Sequence, residues 1–280
     1  MRRLGGPGAD RDAAVTELHA LLLRAARFEI GRRCSAFPQL GGADLDDLAW
    51  QSADDALMSV LRRLGDFRGD SRFTTWAAKF AIVEAGVKVR RHAWRGREIL
   101  LPEASWSAIA DGAPAPHQFA EARDLLAALR EEIDRQLTTR QRQVFVAITL
   151  NDVPIDVLAE RLNTTRGALY KTLHDARGKL RAALAARGMG TMGEGAMTEQ
   201  PGVDRDRELA RMFGPVGPEL GCDECFDQLD AYVELELTGV RADLVMPAMR
   251  AHLEGCSACR DDHDSLLAFA RTDPKNGAAR

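Results

Sequence analysis

Of the five cysteines in this 280-residue chain, four fall into two C-x-x-C pairs, Cys222-x-x-Cys225 and Cys256-x-x-Cys259. His252 precedes the second pair by four residues, so on a helix its ring and the Cys256 sulfur point the same way. Zinc takes four soft or borderline ligands in a tetrahedron. His252, Cys256 and Cys259 offer three corners, and the fourth comes from Cys222 or Cys225. The first fourteen residues, "MRRLGGPGADRDAA", hold basic residues but no apolar stretch of a secretory leader, so the chain is expected in the cytoplasm. In that compartment paired C-x-x-C motifs favour a metal over structural disulfides. Cys34, alone in "RRCSAF", reads as a small buried apolar residue.

The same residue types could instead serve hydrolysis, as in zinc hydrolases and deaminases. Catalytic zinc keeps an open position beside a glutamate base. Glu254 stands within the cluster, but "HLEGCSAC" lacks the H-x-E…P-C-x-x-C pattern of zinc deaminases. A zinc hydrolase is therefore the remote alternative. No catalytic residue is expected, and the chain reads as a binding protein and not an enzyme.

Charge divides the chain. Overall it carries 38 basic and 42 acidic residues, a net of −4. Residues 191–280 hold 9 basic and 18 acidic residues, a net of −9, which leaves 29 basic against 24 acidic for the rest, a net of +5. A basic front and an acidic tail suit a polyanion-binding part beside one that does not bind polyanions, and the two are able to attract each other. No apolar run approaches the roughly 18 residues that span a bilayer, so no membrane contact is expected.

The elements that must position these residues are helices, and the expected fold class is all-α. "AAVTELHALLLRAARFEIGRRC" has apolar residues at helical spacing, and "DLDDLAWQSADDALMSVLRRL" opens with acidic capping chemistry. After a turn at "GDFRGDSR", Phe73, Trp76, Phe80, Val83 and Val87 form one apolar stripe, which predicts a helix with a single core face. Stretches 97–120 and 188–205 read as linkers. Residues 12–96, 121–187 and 206–271 read as three helical domains.

Within the second domain, "PIDVLAERL" forms a short helix with Pro154 near its start, where proline is tolerated. "NTT" makes a tight turn, and "RGALYKTLHDARGKLRAAL" a long helix with Leu169, Leu173, Ala176 and Leu180 inward. This is a helix-turn-helix. Its second helix presents Thr165, Arg166, Tyr170, Lys171 and His174 at the end that enters a major groove. A stand-alone helix-turn-helix regulator with a structural zinc module is the alternative such a motif allows.

The first domain resembles region 2 of extracytoplasmic-function RNA polymerase sigma factors. The resemblance rests on the acidic start at Asp44, Asp46 and Asp47, then Gln51, the run "FRGDSRFTTWA", and a basic exit at Arg90, Arg91 and Arg95. The helix-turn-helix resembles region 4 of the same group, in the family's order and with its linker between. It differs in carrying "GALYKTLHDAR" where "TVKSRLHRAR"-like wording is frequent. The resemblance implies a promoter-specificity subunit for RNA polymerase core. Region 2 would dock on the β′ clamp helices and capture melted bases of the −10 element. Region 4 would read the −35 element and contact the β flap.

The residues agree with that implication. Holding unstacked bases requires aromatic groups beside cations. Arg72, Lys79 and Arg90 fall along one flank of the Phe73–Val87 helix, with Arg91, Trp94 and Arg95 at its exit. Asp47, Gln51 and Asp55 share a face of the preceding helix and suit a polar docking surface for polymerase core.

The tail from Cys222 to Asp262 resembles the zinc-binding anti-sigma domain, a small helical module with a Cys…His-x3-Cys-x2-Cys site. In that family a cysteine precedes a leucine by seven residues and a tyrosine by ten. Leu229 and Tyr232 fit Cys222 on both counts, with Cys225 as the rival ligand or a resolving thiol. The ion would supply folding energy to a tail too small for a large core of its own. The acidic tail is expected to cover the basic sigma surfaces of its own chain and to hold the factor inactive or adjust its promoter choice, at an effective concentration near ~1 mM for a short tether. Oxidation of the thiolates would eject the ion and release the tail.

Overall fold

The computed structural model describes residues 8–33, 42–95, 97, 119–188, 212–214 and 220–272. The described residues are helical and contain no strand, as the apolar periodicity predicts. The chain divides into two units. One comprises Met1–Arg95 with Asp223–Arg280, and the other Gly96–Cys222. Most of linker stretches 97–120 and 188–205, and Cys34, lie outside the described residues.

The first unit begins with three long helices, α1 (Ala9–Arg33), α2 (Gly42–Arg62) and α3 (Phe73–Ala93), with a 3-10 turn at Leu64–Asp66 between the last two. Leu18, Leu22, Ala25, Ala26 and Ile30 of α1 are buried. α2 contributes Ala49, Ala53, Ala56 and Val60, small residues at helical spacing that let backbones approach closely. α3 packs against both.

The single apolar stripe expected for α3 is an incomplete description. Trp76 and Phe80 are buried, whereas Val83 and Val87 are only half-buried. Thr75, Ala77, Ala78, Lys79, Ala81, Ile82, Ala85, Gly86, Val89 and Arg90 are buried as well, so most of the helix girth is covered. Part of the extra covering comes from the tail, which comprises α8 (Cys222–Leu237), the short α9 (Ala242–Val245), α10 (Pro247–Gly255) and α11 (Ser257–Thr272), with α8 and α11 the helices that touch α3. α11 packs on α3 and on α1. Leu229, Val233, Met249 and Leu266 form the tail's own small core.

The second unit holds α4 (Phe119–Gln136), α5 (Thr139–Phe145) running into a π turn at Val146–Leu150, α6 (Ile155–Arg161) and α7 (Arg166–Ala186). Thr138 and Gln141 close a reciprocal capping box at the start of α5, which satisfies two amides the helix cannot. Pro154 caps α6. Asn163 then turns the chain in the left-handed region, at φ 47°, where asparagine is among the residues that strain least. Leu169, Leu173, Ala176, Leu180 and Leu184 of α7 are buried. Arg177 and Arg181 of the same helix donate to the carbonyls of Met212 and Phe213, and Phe213 is buried. A Cβ at Gly214 would meet the Arg177 guanidinium at 3.0 Å. Among the described residues no helix is long and apolar enough to cross a membrane.

Candidate metal centre and nucleic-acid interface

Cys222 opens α8, His252 lies in the last turn of α10, and Cys256 and Cys259 flank the start of α11. All four are buried, and their ligand atoms lie within 4.8 Å of one another. A tetrahedral zinc with bonds of about 2.3 Å to sulfur sets its ligands about 3.8 Å apart, so a small contraction closes the shell. Burial pushes the His252 pKa down, but hydrogen bonds and charge from Cys256 and Cys259 outweigh it and raise it to about 10. Cys225 lies outside this foursome. Its hydrogen bond with Cys259, its burial and the neighbouring sulfur charge all push its pKa up, which keeps it a neutral thiol. Four protein ligands leave no open position, the pattern of a structural site. Glu254 points its carboxylate to solvent and pairs with Arg250 at 2.8 Å.

A second constellation, within the first unit, joins the tail to α3. Asp227, Asp230 and Glu234 are spaced three and four apart and share one face of α8. Asp227 meets Arg63 at 2.6 Å, Asp230 pairs with Lys79, and Glu234 meets Arg72 at 2.8 Å. On α11, Asp262 holds Arg90 at 3.0 Å and Asp261 meets Arg33 at 3.3 Å. Ser71 also donates to Asp230, and Thr75 donates to Glu234 at 3.2 Å. Phe226 stands edge-on to Phe80 with ring centres 5.1 Å apart, and Phe269 meets Phe28 at 5.5 Å.

The pairs differ in kind. Arg63 and Asp227 are both nearly half exposed, so water screens them and they contribute little. Lys79 and Asp230 have side chains only 2% and 7% exposed. Burial pushes the Lys79 pKa below its ordinary value even though Asp230 acts in the opposite direction. Desolvating both charges is costly, and each then depends on the other.

Of the residues expected at melted DNA, Arg72, Lys79 and Arg90 are therefore held by tail carboxylates. Arg91 and Arg95 are exposed and Trp94 is half-buried. Asp47, Gln51 and Asp55 are exposed on α2. In the helix-turn-helix, Thr165 and Lys171 are exposed, and Arg166 and His174 half-buried. The Thr165 hydroxyl caps α7 by accepting from the Ala168 amide at 3.1 Å. Tyr170 is buried at 3% exposure, not on the outward face expected for it. With Arg177 and Leu184 it repeats every seven residues and forms a second inward stripe along α7.

Sequence reasoning gave no role to Asp227, Asp230, Glu234, Asp261 or Asp262. Their signal was present in the tail's net charge of −9 and in the helical spacing of Asp227, Asp230 and Glu234. It did not name Arg177 or Arg181 either, whose partners are backbone carbonyls and leave no trace in residue type.

Residues 127–180, from the last turns of α4 through most of α7, match the family described as Sigma-70, region 4. This likeness supports a transcriptional, DNA-binding role for the helix-turn-helix. Searches among curated proteins and among solved structures found no match to the chain.

Proposed function

We propose that the chain is a sigma factor of the extracytoplasmic-function type, with residues 12–96 acting as region 2, 121–187 as region 4, and 206–271 as a zinc-bound regulatory cover. The observation that carries this reading is the region 4 likeness at residues 127–180 on a chain whose preceding helical unit has Arg72, Lys79 and Arg90 paired with carboxylates of its own tail. α2 would dock on the β′ clamp helices of polymerase core through Asp47, Gln51 and Asp55. Arg72, Lys79 and Arg90, with Arg91, Trp94 and Arg95, would hold melted −10 bases, the cations on phosphate and the indole by stacking. Thr165, Arg166, Lys171 and His174 would approach the −35 duplex, with Tyr170 shaping the helix from behind, and the second unit would meet the β flap. Zinc on Cys222, His252, Cys256 and Cys259 would hold the tail in shape. This is a cytoplasmic binding protein whose work is to position DNA and polymerase.

The test is in vitro transcription with bacterial polymerase core, comparing the full chain with one ending at Gly190, on its own upstream promoter and on pooled genomic fragments. Zinc content is measured in parallel. Initiation by either form supports the sigma reading, and higher activity from the shorter form makes the tail a fused inhibitor. No initiation from either form overturns the reading.

A further inference from the structure

The tail covers α3 unevenly with respect to the two tasks proposed for the first unit. Glu234, Asp230 and Asp262 take Arg72, Lys79 and Arg90, three of the six groups assigned to melted DNA. The outward face of α2 has a different fate. Asp47, Trp50, Gln51, Asp54, Asp55 and Met58 are all exposed, with Trp50 at 44% and Met58 at 57%. The polar contacts along this helix run inside its own bundle, with Asp54 against the His19 ring of α1 at 2.9 Å and Asp55 paired with Lys88 of α3 at 2.6 Å. Trp50 has a neighbour in the His19 ring, stacked at 5.4 Å, and its remaining surface, with that of Met58, lies beside carboxylates, which suits a partner that brings a basic, partly apolar helical surface.

We infer that the tail closes the nucleic-acid face of the first unit while leaving its polymerase-docking face open, so the closed chain assembles with polymerase core and the tail gates only promoter opening. This rests on the sigma reading above. It assigns the ion-pair seam a defined competitor. DNA phosphates and tail carboxylates seek the same three cations, so single-stranded DNA and the tail exclude each other on α3, and neither excludes polymerase on α2. A ligand that binds one of two states shifts the balance by its differential affinity. By reciprocity, promoter DNA held by polymerase would itself help displace the tail.

The experiment uses the full zinc-loaded chain and two full-length variants, Asp230→Asn, which removes the partner of Lys79, and Gly86→Ala. The second adds a Cβ 3.1 Å from both Arg90 and Asp262 and leaves every charge in place. Circular dichroism and zinc content identify which variants fold. Binding to polymerase core is measured by fluorescence anisotropy, and capture of DNA with a single-stranded oligonucleotide of the −10 non-template strand, on the core-bound protein. The expected result is equal core affinity for all forms, within about twofold. The folded variant is expected to capture the oligonucleotide about tenfold more tightly, within the range of coupling between sites in one chain. Core binding by the variant at least about tenfold tighter than by the parent would overturn the inference and leave the sigma reading standing. Equal oligonucleotide capture by parent and variant would also overturn it. Failure of every form to bind core would defeat the sigma reading, and this inference with it.

Discussion

Asp262 stands one helical turn beyond Cys259 on α11 and holds the Arg90 guanidinium at 3.0 Å, with both side chains almost wholly buried. The turn that carries one member of the Cys/His cluster therefore also holds a cation of α3. On the proposed zinc reading, the shape of this small tail depends on the cluster of Cys222, His252, Cys256 and Cys259. Whatever loosens that cluster moves Asp262 and takes a buried carboxylate away from the Arg90 guanidinium, a change that is costly at a buried charge.

Removing the metal should therefore act at a distance. Structural zinc sites contribute about 10–16 kcal/mol of apparent binding energy, which is folding energy for the module that holds them. Chelation is expected to melt the helices from Cys222 to Thr272 while α1 to α3 persist, and to raise affinity for single-stranded DNA. Far-UV ellipticity followed beside zinc release measures the first, and anisotropy of a labelled oligonucleotide the second. Full helicity in zinc-free protein would show that the four ligands do not hold the tail together.

Lys79 and Asp230 make the buried half of the seam separable from the exposed half. Asp230→Ala leaves a buried ammonium without its carboxylate and is expected to cost about 3–5 kcal/mol. Replacing both, Lys79→Met with Asp230→Leu, removes the desolvation as well as the attraction and should recover most of that loss. Arg63→Ala breaks a pair whose members are both nearly half exposed and should cost no more than about 1 kcal/mol. Urea midpoints for the four proteins decide it. A double replacement as unstable as Asp230→Ala would mean that the pair is needed for more than charge balance.

Gly86 predicts a change of sign. A Cβ there meets Arg90 and Asp262 at 3.1 Å and Glu29 at 3.3 Å, all in a buried charged knot where α1, α3 and α11 converge. In the full chain Gly86→Ala should lower stability. In a chain ending at Gly190 the Asp262 contact is gone and no tail carboxylate fixes the flexible Arg90 guanidinium, so the Arg90 and Glu29 side chains can yield and alanine's helix preference, worth about 0.5–1 kcal/mol, should be felt instead. Thermal midpoints of the two pairs test this, and the same sign in both would remove Asp262 from the account.

The helices and the grouping of His252, Cys256 and Cys259 were legible because each is written in local spacing. Leu169, Leu173, Ala176 and Leu180 follow the helical period, and His252, Cys256 and Cys259 lie within eight positions. The second face of α3 was not legible. Its partners, Asp230 and Asp262, lie more than 150 positions away in sequence, and a buried Lys79 looks in sequence like any exposed lysine. Tyr170 was misjudged for a related reason. It sits beside Leu169 on the flank of the apolar stripe, and a large amphipathic ring at that angle can turn either way. The choice is made by packing across the second unit. Between Cys222 and Cys225, spacing alone left two candidates, and the geometry gathers Cys222 with the other three ligands.

On the helix-turn-helix, exposure separates contact from support. Lys171 is exposed near the start of α7, where a lysine neutralises phosphate without reading sequence. Lys171→Ala is expected to weaken duplex DNA binding by a similar factor across sequences and to lower the slope of log affinity against log salt by about 1. Tyr170→Ala should act first on stability, at about 3–5 kcal/mol for a buried aromatic ring, and Tyr170→Phe should retain most of the fold. Thr165→Ala removes the α7 cap and should cost about 1 kcal/mol. Salt titrations of duplex binding, read beside urea midpoints, distinguish these roles. An unchanged salt slope in Lys171→Ala would take that residue off the phosphate backbone. A sequence-selective loss in the still-folded Tyr170→Phe protein would place the phenol at the bases and not in the core.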